Sequence, residues 1–226
     1  LIATCCSTLV AVVMAKVLAG RDDQAGAGRD EATNSEPEKA ETFESERLLI
    51  RVPKPGDGTI LQEAYLASYP RLKPWFPWAQ TESSIEEREE FVRQQYARFV
   101  KREDMMLMLF LKNEHKLIGC SGLHVQNWDV PSFEIGYWVR TGYEGQGYII
   151  EAVNRITEFG FMEMKANRIF IRCDVANFRS QSVAKRAGFL YEGTFRNFER
   201  RHHTGELTDM VYFALTREDY RKLREE

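Results

Sequence analysis

The chain has 226 residues, 43% of them hydrophobic, which suffices for one well-buried core in one or two domains. Its formal net charge is −3 and no basic, aromatic-interleaved stripe runs along it, which argues against nucleic acid or an anionic membrane as partner. Neither the cysteines (Cys5, Cys6, Cys120, Cys173) nor the histidines (His115, His124, His202, His203) show metal-ligand spacing, so no metal is expected.

In chain order, Leu1 to Ala19 is apolar with one interruption at Lys16, and 21–40 is rich in Asp, Glu, Gly, Ala and Ser. We read 1–40 as an upstream extension ending in a disordered linker, with a signal sequence or a marginal membrane anchor as the alternatives. Residues 41–226 form the folded domain. Glu46 to Pro53 reads as a first strand stopped by proline, and Asp57 or Thr59 opens a helix through Leu66. Tyr69 to Trp78 is too broken by prolines for a regular element. Ser84-Ile85-Glu86-Glu87 is a capping box, starting a helix with Phe91, Val92, Tyr96, Phe99 and Val100 on its apolar face. Met105–Lys112 and Lys116–Val125 read as strands around an Asn113-Glu114 turn, with Cys120 a small buried hydrophobe.

Phe133 to Arg140 alternates as a strand and runs into Thr141-Gly142-Tyr143-Glu144-Gly145-Gln146-Gly147, after which Ile149, Val153, Ile156 and Gly160 repeat at helical spacing. A glycine turn opening a helix is an anion cradle, because the first helical N–H groups lack carbonyl partners and the helix dipole adds positive potential there. A phosphorylated ligand is therefore expected on Gly145, Gln146, Gly147, Tyr148 and Ile149. It is not a Walker loop, since Tyr148-Ile149 stand where Lys and Ser or Thr should follow. It is not a dinucleotide fingerprint either, since Ile150 occupies the third small position. A strand over Arg168–Val175 then leads into Asn177-Phe178-Arg179-Ser180, a helix ending at Gly188-Phe189, and Glu192-Gly193. Leu190–Phe198 and Glu206–Leu215 pair across His202-His203-Thr204-Gly205, and Thr216 with Asp219 caps a last helix.

This order of strand, Gly-x-Gly turn, helix, strand, Asn-x-x-Ser helix, Gly-Phe and Glu-Gly resembles the GNAT superfamily of N-acetyltransferases, in its RimJ/RimL-like branch, over roughly 43–223. The resemblance implies an α+β fold, with a mixed, mostly antiparallel sheet flanked by helices and splayed into a V that holds coenzyme A. The mix of strands and helices read from the sequence, without regular βαβ repetition, agrees. Two positions depart from the wider family. Gly142 stands where Arg or Gln is frequent, and Ala184 where a thiol-protonating tyrosine is frequent.

Carried over residue by residue, the resemblance implies that Tyr137, Trp138 and Val139 line the pantetheine arm and that Asn177 bonds the cofactor or a water. Ser180, one turn beyond Asn177, becomes the proton donor to the leaving thiolate. Glu199 becomes the base, ranked ahead of Glu134, a competing carboxylate that by strand alternation lies on the face opposite Phe133 and Ile135. A first-turn cap for Asn177 and a solvated strand end for Glu199 are the structural alternatives. Trp75 and Trp78 are either an acceptor-pocket wall or a core closure under a long loop. The implied activity is acetyl-CoA-dependent transfer to a primary amine by direct attack in a ternary complex. Neither Cys120 nor Cys173 has a neighbouring histidine in sequence to make a nucleophilic pair. The branch points to a protein N-terminal α-amine of the ribosomal-protein type, in the cytoplasm, with a homodimer left open. A polyamine or aminoglycoside acceptor, and a non-catalytic acyl-CoA sensor, are the competing readings.

Overall fold

A computed structural model describes residues 41–225. The readings placed on Leu1–Ala19, on the following linker and on Cys5 and Cys6 lie outside the described residues. The described residues build one eight-stranded sheet in the order β1-β2-β3-β4-β5-β6-β8-β7. Its strands are β1 (Thr42–Glu44), β2 (Leu48–Arg51), β3 (Met105–Leu111), β4 (Lys116–Asn127), β5 (Ser132–Val139), β6 (Arg168–Asp174), β7 (Leu190–Arg200) and β8 (Leu207–Thr216). Every neighbouring pair is antiparallel except β5 with β6.

That parallel pair fixes the site. β5 and β6 are in register only from Ser132↔Arg168 to Glu134↔Phe170, and beyond Glu134 no β6 residue pairs with β5. The sheet therefore splays into a V with its vertex at Glu134. Along β5, Arg140 N donates to the Ile118 carbonyl of β4 at 2.7 Å. Backbone direction alternates along a strand, so the N–H and C=O groups of Tyr137 and Val139 face the open side.

Alternation also splits the two cores. Phe133, Ile135, Tyr137, Ile169, Ile171 and Val211 pack on the face covered by α4 (Tyr148–Met162) and α5 (Phe178–Arg186). Met108, Phe110, Leu117, Cys120 and Trp138 pack on the other face, with Leu61 and Tyr65 of α1 (Gly58–Leu66) and Val92 of α3 (Ile85–Val100). The Ser84 capping box forms, both of its hydrogen bonds being present, and Thr216 and Asp219 likewise cap α6 (Arg217–Glu225). Val100, expected on the apolar face of α3, is 51% exposed because the helix ends there.

The proline-rich stretch holds more order than expected. Tyr69–Leu72 forms a short helix, α2, and Pro77–Ala79 a 3-10 turn. Pro70 and Pro77 sit at the first or second helical position, where no N–H bond is lost, and Pro74 lies in the turn between the two elements. Among the described residues, no helix is long and apolar enough to cross a membrane.

Candidate functional site

At the far end of β5 the chain turns through three glycines with left-handed φ: +96° at Gly142, +75° at Gly145 and +83° at Gly147. Gly142 thus occupies a backbone conformation that other residues adopt only under strain, which accounts for a glycine at this position. Gln146 Nε2 donates to the Gly142 carbonyl at 3.0 Å and folds the loop onto itself. Gly147 is the N-cap of α4, and the first helical acceptor bond is Glu151 N to Gly147 O, so the amides between them point out of the helix end. A Cβ at Gly145 would meet no atom within 4 Å. The loop is therefore open where an anion has to approach.

Two acidic residues beside this cradle are turned away from it. Glu144 accepts from Gly142 N and pairs with Arg71 at 3.0 Å. Glu151 accepts from Ser45 Oγ and from the backbone N and Nε of Arg47, whose Nη1 donates to the Gln146 carbonyl. Arg47 braces the loop at Gln146 from 99 residues away in sequence, a partnership that spacing alone does not reveal.

At the α5 face of the slot, the Tyr137 hydroxyl lies 2.9 Å from Ser180 Oγ and 3.1 Å from the Ser180 carbonyl. Both residues are buried. Burial pushes the Tyr137 phenol above its ordinary pKa, against the opposing pull of its Ser180 hydrogen bond, so it keeps its proton. Asn177 caps α5, its Oδ1 accepting from Ser180 N at 3.1 Å. Its Nδ2 is buried with no hydrogen-bond partner, although Asn177 is only 5% exposed. An orphaned buried amide is costly, so this donor fits a ligand's acceptor atom. Ala184, in place of the frequent tyrosine, is fully buried in the core, and Ser180 has a tyrosine hydroxyl from β5, that of Tyr137, as a partner.

On the opposite face, at the vertex of the V, Arg172 Nε donates to Glu134 at 2.8 Å and its Nη1 to Glu199 at 2.7 Å. Glu134 is 3% exposed, and burial raises its pKa above the usual carboxylate range despite the Arg172 charge. Burial alone would lower the Arg172 pKa, but its two carboxylates outweigh that and hold it protonated. Glu199 reaches this point through a bulge in β7, where the register jumps from Phe195↔Met210 to Glu199↔Thr208. Asn197, at φ +51°, turns the bulge with its N–H bonded to Asp209 at 2.8 Å. Arg172 had no part in the reading from sequence, yet it joins both candidate carboxylates. Its signal was alternation: on β6, Arg172 falls between the inward-facing Ile171 and Cys173 and so faces the other way.

The remaining expected residues divide. The amides of Tyr137 and Val139 face the slot, but Trp138 does not: its side chain packs in the second core, and a Cβ at Gly119 would lie 2.2 Å from its carbonyl, on the β4 side. Trp138 is corrected from a slot residue to a core residue. Trp75 is half-buried against that same core, whereas Trp78 is 43% exposed over Phe76 and Tyr65. Cys120 and Cys173 are buried free thiols, both raised in pKa by burial.

Comparison with known proteins agrees with this geometry. Residues 47–190 match the model of the acetyltransferase (GNAT) domain. The chain is 31% identical over 183 residues to the "Putative ribosomal N-acetyltransferase YdaF" of Bacillus subtilis (strain 168), covering 78% of this chain and 94% of that protein. It is 33% identical to the ribosomal-protein-serine acetyltransferase of Escherichia coli (strain K12) over 94 residues, 42% of this chain and 51% of that one. Among solved structures, a probable acetyltransferase superposes with TM-score 0.71 at 29% identity, covering 79% of this chain and 98% of the other. RimL, a ribosomal α-N-protein acetyltransferase in complex with coenzyme A, superposes with TM-score 0.70 at 22% identity, over 76% of this chain and 95% of that one. With the splayed sheet, the open glycine loop at a helix N-terminus and the matched domain in agreement, the chain belongs to the GNAT acetyltransferase family and is an acetyl-CoA-dependent N-acetyltransferase.

Proposed function

We propose that the chain acetylates the N-terminal α-amine of a protein, of the ribosomal-protein type, by direct attack on acetyl-CoA in a ternary complex in the cytoplasm. The observation that carries the chemistry is the pairing of opposite demands across one slot. A neutral hydroxyl pair, Tyr137 and Ser180, lies on the α5 face of the sheet at the V, and an Arg172-held pair of carboxylates lies on the opposite face. Acyl transfer from a thioester to an ammonium needs both: a proton for the departing sulfur and a base for the nitrogen.

Gly145 to Ile149 would hold the pyrophosphate, and the β5 amides of Tyr137 and Val139 the pantetheine and the thioester oxygen. Asn177 Nδ2 supplies a buried donor to the same arm. Ser180, backed by Tyr137, is the proton donor to sulfur. Of the carboxylates, Glu134 suits the base better than Glu199, which reverses their order in the sequence reading. Glu134 lies at the vertex, and burial raises its pKa, which makes it the stronger proton acceptor. Glu199, more exposed, would draw the incoming ammonium. The names of the relatives support the ribosomal acceptor.

The test is thiol release from acetyl-CoA with peptides beginning in Ser, Ala or Thr, against the same peptides blocked at the α-amine, polyamines and aminoglycosides. Mass spectrometry should place the acetyl group on the α-nitrogen. Faster transfer to a polyamine or aminoglycoside would replace the acceptor. Tight acetyl-CoA binding with no thiol release from any amine would favour the sensor.

A further inference from the structure

The charged face does not end at Glu134. His124 of β4 is its register partner across the antiparallel β4–β5 ladder, and directly opposed residues hold their Cβ atoms about 4.5–5.5 Å apart. The His124 Nδ1 lies 2.8 Å from Asp104 Oδ1, and Asp104, 5% exposed, is paired in turn with Arg98 of α3 at 3.2 Å. A single row thus crosses the sheet, from Arg98 and Asp104 through His124 and Glu134 to Arg172 and Glu199, alternating in charge wherever His124 is protonated. Burial pushes the Asp104 carboxyl up, but the His124 hydrogen bond and the charges of His124 and Arg98 outweigh it and keep Asp104 ionised.

With Nδ1 turned to Asp104, the imidazole presents Nε2 elsewhere. A Cβ built on Gly122 would lie 3.2 Å from His124 Cε1 and 3.3 Å from Nε2, so the ring leans over Gly122. The register partner of Gly122 is Gly136. Two facing glycines leave that patch of sheet without side chains, immediately beside Glu134. The His124 side chain is 22% exposed, so the row has contact with water at this point, whereas Glu134 has almost none.

Resting on the acyl-transfer reading of this site, we propose that His124, oriented by Asp104, is the proton outlet of the base Glu134. Proton count gives it a task. An ammonium acceptor and an acetyl thioester become an amide, a thiol and one released proton. The nitrogen loses two protons: the second replaces the one delivered to sulfur, and the first, taken by Glu134, must leave a carboxylate with almost no contact with water before the next turnover. His124 Nε2 accepts it and gives it to solvent, while Asp104 stays ionised and stabilises the imidazolium. The relay moves only this proton; the C–N bond that forms and the C–S bond that breaks, with its electron pair leaving on sulfur, belong to the acyl transfer itself. His124 is a positioning and relay residue and does not touch the acetyl donor.

The experiment has two arms. In the first, the His124 imidazole of the full-length protein is titrated by isotope-edited NMR in the wild type and in Glu134→Gln. Loss of an anionic neighbour should lower its midpoint by about half a unit or more. An unchanged midpoint overturns the proposal, and this arm needs no acceptor. In the second, His124→Gln should lower kcat/KM about tenfold or more near neutral pH, recover as the acceptor deprotonates, and be rescued by added imidazole. A loss equal at every pH and not rescued by imidazole would make His124 merely structural and overturn the proposal, as would no loss at all. Should the wild type acetylate no amine, the functional reading fails, and the NMR arm alone decides whether His124 and Glu134 interact.

Discussion

On the α5 face of the slot Tyr137, Ser180, Asn177 and Cys173 meet without a formal charge among them, whereas on the opposite face Glu134, Arg172 and Glu199 interact through charge-assisted hydrogen bonds. Both faces are largely buried, so the difference is one of chemistry and not of exposure. A group that must keep its proton until sulfur departs is served by burial, which raises the pKa of the Tyr137 phenol and the Cys173 thiol. A group that must accept a proton cannot be buried alone, because its charge would be lost. Arg172 is what allows a carboxylate to sit at the vertex. The neutral face should therefore tolerate loss of a polar partner with the fold intact, and the charged face should not.

Arg172→Met tests that contrast most severely. Removing one partner of a buried pair leaves an uncompensated charge, typically costing about 3–5 kcal/mol of stability. The Glu134 folded-state pKa is already raised above its unfolded value, and the variant should raise it further. The folded form then binds more protons than the unfolded one, so stability falls as pH rises from the unfolded to the folded pKa. Urea unfolding should show a deficit that is small near about pH 4, below the unfolded pKa, and fully present above neutrality. A deficit that does not change with pH would mean that Arg172 acts through packing alone.

The neutral face should respond in rate. Tyr137→Phe and Ser180→Ala are each expected to lower kcat by about 10²-fold or more with little change in acetyl-CoA KM. Because the two hydroxyls lie 2.9 Å apart and serve one proton, the double variant should be little worse than the poorer single one. Thermal unfolding should barely move. Additive losses would separate the two residues and return Ser180 to an ordinary first helical turn.

The cofactor end should answer more mildly. Gly145→Asp places a carboxylate in open space at a helix N-terminus, and Asp tolerates left-handed φ better than most residues. Lost and reversed helix-end electrostatics of about 1–2 kcal/mol should weaken coenzyme A binding roughly five- to thirtyfold by calorimetry. Gly147 is the poorer probe, since a Cβ there would lie 3.4 Å from Arg47 Nη2, which could capture the carboxylate. Unchanged affinity in folded Gly145→Asp would remove the pyrophosphate from this loop.

How much of this was legible in sequence follows the range of the interactions. The glycine loop, the Ser84 capping box, the Asn177 cap and the alternation of β5 are local, and local spacing encodes them. Trp138 was misassigned because a position next to the slot in sequence lies on the other side of the strand in space. The Arg47–Glu151 brace joins elements 104 residues apart, and the Arg172 grip joins elements 38 and 27 residues apart. Those partnerships depend on which strands become neighbours. The β7–β8 hairpin is local and was legible, but the β6–β8 pairing, which brings Glu199 within reach of Arg172, is not implied by any local pattern. The β7 bulge is likewise set by a distant aspartate, Asp209, holding the Asn197 amide.

The smallest effect is expected at Glu199, and it sharpens the comparison within the charged face itself. Glu199 and Glu134 share one arginine, but the Glu199 side chain is 26% exposed and Glu134 is enclosed at the vertex. An exposed carboxylate attracts an approaching ammonium through a high dielectric, worth about 1 kcal/mol at contact and screened by salt. Glu199→Gln should therefore raise the acceptor KM about fivefold at low ionic strength, leave kcat nearly unchanged, and lose most of its effect in high salt. Substitution should also cost little stability, because Arg172 keeps Glu134 as partner. Suppose instead that Glu199→Gln lowers kcat below the acceptor's pKa of about 7.7–8.0 and recovers above it. Glu199 would then be the base, the order read from sequence would stand, and Glu134 would become the residue that holds Arg172 in place for it.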